Sequence, residues 1–184
     1  TDKRAIKFFE EGTKHYNAKQ DDAAVKYLKR AVEAAPDFIE AHALLAAVYE
    51  EMNQPLKAIE ELKIAISIKP GYFNVLYFTL GEIEMDEALY PDAKTHLEDY
   101  LKGAKTDPYL VVLAKKYISN CNFAIEAMKH PVSFAPQNLG EAINTKDAEY
   151  FATITADGKT FYFTRRLTDK KQMMGFQEDI YVSK

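Results

Sequence analysis

His15, His42, His96 and His130 are the side chains best suited to hold a metal or move a proton, and their spacing supports neither role. No two stand at the i, i+4 separation that brings imidazoles together on one helix face, so packing and surface roles are expected for all four. Ser67, Ser119, Ser133 and Ser183 lack the glycine-flanked turn that exposes a nucleophile, and the seven glycines are nowhere clustered into a phosphate-cradling loop. Cys121 is the only cysteine, which excludes an internal disulfide or a thiolate cluster. On its apolar helical stripe it reads as a small buried hydrophobe. The acidic group Glu82, Glu84, Asp86 and Glu87 is the remaining candidate for acid/base or cation chemistry. Carboxylates on one exposed helix cannot surround a cation, and nothing apolar beside them in sequence would raise a pKa, so a solvated helix face is expected. No catalytic residue, metal or cofactor is expected, and the chain does not read as an enzyme.

The composition points the same way. A formal net charge of −4 and a pI near 5.6 give no basic footprint for nucleic acid. No stretch approaches the ~18 apolar residues of a membrane span. The 184 residues suffice for one good core plus a smaller appended unit.

The elements that must position any functional face announce themselves by repetition. Ala24, Leu28, Ala31 and Pro36 return 34 residues later as Ala58, Leu62, Ala65 and Pro70. That period belongs to stacked helical hairpins. Gly12, Ala46 and Gly81 are small residues at equivalent places in the first helix of each hairpin. The first helix is expected over 2–18, and Asp21 and Asp22 place negative charge at the start of the second. Pro55 opens the second helix of the next hairpin after a break at Asn53 and Gln54. In the third hairpin, from about Asn74 to Gly103, Leu80, Gly81, Ala93 and Leu97 keep the pattern. Tyr100 there replaces the small Ala31 and Ala65, and Lys105 replaces the terminal proline, so a slight splay is expected. Asp107 and Pro108 then open a last helix reaching about Lys129, with Leu110, Leu113, Ala114, Tyr117, Ile118, Cys121 and Ile125 on one stripe and Lys115 and Lys116 facing elsewhere.

These residues resemble the tetratricopeptide repeat. The resemblance implies a mainly α fold, an α-solenoid of three helical hairpins plus a capping helix over residues 1–130. Pro131, Pro136 and Gly140 punctuate a connector over 131–148. From Glu149 the text alternates: Tyr150, Ala152 and Ile154 are expected on one face of a strand, followed by an Asp157-Gly158 turn and a second strand bearing Phe161 and Phe163. A third strand is expected over 179–183. Ile154, Phe161, Phe163 and Ile180 are expected to be buried, against the last helix and the connector, with strand pairing to another copy of the chain as the alternative.

The 149–184 segment looks like an incomplete blade of a TolB-type β-propeller. Helical repeats followed by such a blade are similar to the OmpA-like, peptidoglycan-anchored periplasmic lipoproteins, some of which, the PorE-like proteins, belong to type IX secretion. That resemblance implies a place in the periplasm at the outer membrane, with peptidoglycan bound through a domain that these residues do not include.

In tetratricopeptide-repeat proteins the first helix of each hairpin lines the concave face. By register that face comprises Phe9, Thr13, Tyr16 and Asn17, then Ala43, Ala47, Glu50 and Glu51, then Phe78, Glu82, Met85 and Asp86. It lacks the Lys and Asn set with which some such domains clamp a C-terminal carboxylate. A basic or aromatic peptide segment is the expected partner, with the chain's own residues 132–143 as the competing occupant. The expected function is a non-enzymatic scaffold of the bacterial envelope, and the alternative is a cytoplasmic peptide-binding adaptor.

Overall fold

The computed structural model describes residues 2–104, 106–133, 135, 137–169, 171 and 174–183, so Lys105 and Pro136 lie outside the described residues. Among the described residues seven helices precede three strands. The chain divides into two compact units, residues 1–131 and residues 132–184.

Helix α1 (Lys3–Asn17) starts at Asp2, whose side chain accepts the Arg4 N–H at 2.8 Å. It pairs with α2 (Asp21–Ala34), as α3 (Ile39–Glu51) pairs with α4 (Pro55–Ile68) and α5 (Val75–Asp86) with α6 (Tyr90–Lys102). One turn closes all three hairpins. Lys19, Asn53 and Ala88, in equivalent register, adopt left-handed φ values of 56°, 55° and 59°. The N–H of each reaches back to Tyr16, Glu50 or Met85, and the next N–H reaches the carbonyl of His15, Tyr49 or Glu84. These crossed bonds satisfy carbonyls left over at the helix end.

Close approach within a hairpin depends on the small residues. A Cβ built on Gly12 would stand 2.7 Å from Leu28 Cγ, and one on Gly81 the same distance from Leu97 Cγ. The leucines fill the space that the missing side chains leave. Leu28, Leu45, Leu62 and Leu80 thereby form a core running through all three hairpins, each buried. Tyr100 is also buried, its ring edge-on to Phe78 at 5.4 Å and its hydroxyl accepting the Asp107 N–H at 3.0 Å. Asn74 donates to the Tyr100 carbonyl at 2.9 Å. The bulky side chain is thus packed against α5 and tied to the start of the next element.

That element is α7 (Pro108–Lys129), with the bounds that Asp107-Pro108 implied; Asp107 accepts from Tyr109 N at 2.7 Å. Ala114 and Cys121 are buried, while Lys115 and Lys116 are exposed.

The second unit holds an antiparallel sheet of β1 (Ala148–Ile154), β2 (Phe161–Thr168) and β3 (Phe176–Ser183), in that order. The turn forms at Asp157-Gly158: Gly158 adopts φ +70°, and its N–H donates to the Thr155 carbonyl at 2.8 Å. Two expectations for these strands fail. Tyr150 pairs with Thr164 and Thr153 with Tyr162, so an extra residue is inserted between them, where Phe151 has φ +52°. This bulge reverses the alternation, placing Ile154 opposite Phe161 and on the other face from Tyr150. Burial also differs: Phe163 is 4% exposed, but Ile154 is 61% and Ile180 77% exposed. The third strand begins at Phe176, three residues earlier than the sequence suggested.

Arg165 holds the connector to this sheet. Its Nε donates to Glu149 at 2.9 Å, and its terminal nitrogen donates to the carbonyls of Ala142 at 2.9 Å and Ile143 at 3.1 Å. The guanidinium also lies 4.6 Å from the centre of the Tyr181 ring. Glu149 is held below the usual carboxylate range, first by hydrogen bonds from Thr145 and then by Arg165.

Candidate functional site

The first helices of successive hairpins are linked through the side chains that register singled out. Tyr16 of α1 donates to Glu51 of α3 at 2.7 Å, and Lys19 from the turn after α1 approaches the other Glu51 oxygen at 2.8 Å. The Lys19 and Tyr16 hydrogen bonds hold the Glu51 carboxyl below its ordinary range and push both donors up. Asn17 is exposed beside them, and Thr13 donates to the Phe9 carbonyl at 2.8 Å. Phe9 is half-buried, its ring 4.9 Å from that of Phe38, so much of it serves packing.

Farther along, Glu82 of α5 accepts from Tyr117 of α7 at 3.2 Å. Loss of solvent, then the charge of Glu82, raises the Tyr117 phenol. Met85 is half-buried and Asp86 exposed. Phe78 is only 4% exposed and packs between Tyr100 and Tyr117, so it belongs to the core and offers little surface for contact. Register could not separate these outcomes, because the residues that cover Phe78 come from α6 and α7.

Between α3 and α5 lies a cavity of about 200 Å³, lined by Ala43, Ala46, Ala47, Glu50, Leu62, Leu76 and Thr79. Its walls are mostly small or apolar, and Glu50 supplies its acidic group. Glu50 is exposed as a residue, yet its carboxyl is raised above the ordinary range, first by partial loss of water and then by Glu82, Asp86 and Glu51. Sequence reasoning missed Leu76 and Thr79; both lie one helix over from Ala43 and Ala47, and only the packing of hairpin on hairpin brings them together.

Glu84 corrects the expected solvated acidic face. It is 0% exposed, with His96 Nδ1 of α6 at 2.5 Å and Lys63 Nζ of α4 at 2.9 Å. The lysine contact is an ion pair without hydrogen-bond alignment. His42 is equally structural: Nε2 donates to the Pro36 carbonyl at 3.1 Å, and Nδ1 meets Glu61 at 2.7 Å. Among the described residues no group of histidine, cysteine and carboxylate side chains is placed to hold a metal ion.

No family model matches the chain. Among solved structures the chain is similar to the first TPR of Spaghetti (RPAP3) bound to HSP90 peptide SRMEEVD, at TM-score 0.59 and 17% identity, covering 68% of this chain and 96% of that one. The fold is a tetratricopeptide-repeat solenoid. A second such structure, the Sgt2 TPR domain from Aspergillus fumigatus, aligns at TM-score 0.57 and 21% identity over 78% of this chain and 93% of that chain. In sequence, the small glutamine-rich tetratricopeptide repeat-containing protein 2 of Mycosarcoma maydis is 32% identical over 105 residues, 57% of this chain. The matched region spans 29% of that protein.

Proposed function

We propose that this tetratricopeptide-repeat chain is a non-enzymatic scaffold that docks an extended segment of a partner protein along the face shared by α1, α3 and α5. The observation that carries the reading is the cavity between α3 and α5, set in a row of first helices whose polar groups already meet at Tyr16–Glu51. Likeness to a repeat domain solved with a bound peptide supports the same mode of use. The chemistry of the segment is different. The peptide in that structure, SRMEEVD, ends in acidic residues, whereas this face presents Glu50, Glu51, Glu82 and Asp86. A basic or aromatic segment is complementary to it, since like charges face to face disfavour binding.

As to cellular setting, likeness to repeat domains solved with an HSP90 peptide and in a pHsp70 complex supports a cytoplasmic peptide-binding adaptor. A second reading, an envelope component with a propeller, rests on the three-stranded antiparallel meander of 148–183, which matches three strands of a four-stranded blade. Cell fractionation of the native protein separates the two settings.

The docking reading is tested by panning a displayed random-peptide library on the full chain and on the Glu50→Lys, Glu51→Lys double variant. Enrichment of Lys-, Arg- and aromatic-rich sequences that the variant releases is expected. Retention of the same sequences by both proteins moves the site elsewhere.

A further inference from the structure

The cavity between α3 and α5 combines two features that a single kind of side chain would satisfy. Ala43, Ala46, Ala47 and Leu76 present methyl groups on its walls, and Leu62 is buried in the core behind it. Such walls accept methylenes, and besides Glu50 the polar residue among those lining the cavity is Thr79. Glu50 also lines the cavity, and Glu82 and Asp86 of α5 lie near enough to act on its carboxyl. Among the described residues no Lys, Arg or His forms an ion pair with Glu50, Glu82 or Asp86, although Glu82 accepts from the Tyr117 hydroxyl; nearby Glu51 is already engaged by Lys19 and Tyr16. Three carboxylates therefore share a small region with no cation to offset them.

We propose that this cavity receives an extended aliphatic cation, the chemistry of a lysine or arginine side chain, with methylenes against Ala43, Ala47 and Leu76 and the charged head among Glu50, Glu82 and Asp86. The inference rests on the docking reading and deepens it by naming the residue type that the segment must carry. An acidic segment is excluded by charge. An uncharged apolar side chain would fill the walls but leave the carboxylates crowded. A cation relieves that crowding, and more strongly where solvent is partly displaced. The site therefore selects a stem and a charge together.

The test uses the full chain with labelled Ala and Leu methyl groups, titrated by n-pentylammonium, with n-pentanol as the uncharged probe of the same shape. Saturable shifts at Ala43, Ala46, Ala47 and Leu76 are expected for the ammonium, with at least about tenfold weaker response to the alcohol. Glu50→Gln should weaken the ammonium response and leave the alcohol response unchanged. Ala47→Leu, which fills the cavity without altering charge, should abolish both.

Equal responses to the two probes would reduce the site to an apolar cavity and overturn the proposal, as would the absence of saturable shifts. A peptide obtained by panning distinguishes the two levels of failure. If that peptide contains no basic residue and shifts amides of α1, α3 and α5 while n-pentylammonium does nothing, the cation site is wrong and the docking face stands. If neither probe nor peptide touches those helices, both fall.

Discussion

Glu84 and His96 meet at 2.5 Å inside the third hairpin, in the register where His15 stacks on Tyr27 at 5.1 Å in the first. The same pair of positions is filled once by two aromatic rings and once by a buried carboxylate against an imidazole. Glu84 is also approached by Lys63 of the preceding hairpin, so one group fastens α4, α5 and α6. His96→Phe should therefore cost about 3 kcal/mol, because it removes one partner from a buried charge. Adding Glu84→Leu should recover most of that loss. Urea midpoints of the single and double variants check this; additive losses would contradict it.

Leu62 is fully enclosed by the core that joins the second hairpin to its neighbours. Leu62→Ala should lower stability by roughly 2 to 5 kcal/mol through lost burial and a residual cavity. A urea midpoint unchanged within error would remove Leu62 from the core.

The turn residue Ala88 holds φ +59° with an exposed side chain. Glycine adopts that conformation without a Cβ clash, so Ala88→Gly should raise stability by about 1 kcal/mol. Thermal melts of the two proteins would show it. A lower melting temperature for Ala88→Gly would mean that the left-handed turn is not formed there.

Much of this was legible in sequence because the informative residues are local. Asp107 and Pro108 specify the start of α7, and Ala24, Leu28 and Ala31 repeat at a fixed spacing. Glu84 was not legible, since it sits among Glu82, Asp86 and Glu87, and its partners come from other helices. A comparison of registers would have placed it opposite His96. The bulge at Phe151 was hidden for another reason: apolar residues at 150, 152 and 154 read as regular alternation, and nothing in that spacing reveals a left-handed residue between them. Phe78 looked like a contact residue because its covering rings come from other helices, Tyr100 from the paired α6 and Tyr117 from α7.

The Glu51 linkage predicts a pH dependence with two edges. Lys19 and Tyr16 depress the carboxyl in the folded state, so its contribution is present above the ordinary carboxylate range and is lost as pH falls through the depressed folded-state value. Tyr16 and Lys19 are raised, so their contribution is present below their ordinary ranges and fades as alkaline pH rises through the raised values. The stabilities of the parent and Glu51→Gln proteins should differ near neutral pH and converge at both extremes. Salt should narrow the difference, because the pair is exposed. A constant gap from acid to alkali would assign the effect of the substitution to something other than this link.

The face of α1, α3 and α5 is where the partner segment should dock. Hydrogen exchange of the full chain, with and without a panned basic peptide, tests it most directly. Added protection is predicted in 3–17, 39–51 and 75–86, with little change in α2, α4 and α6. Protection confined to those second helices, or to the sheet at 148–183, would contradict the claim.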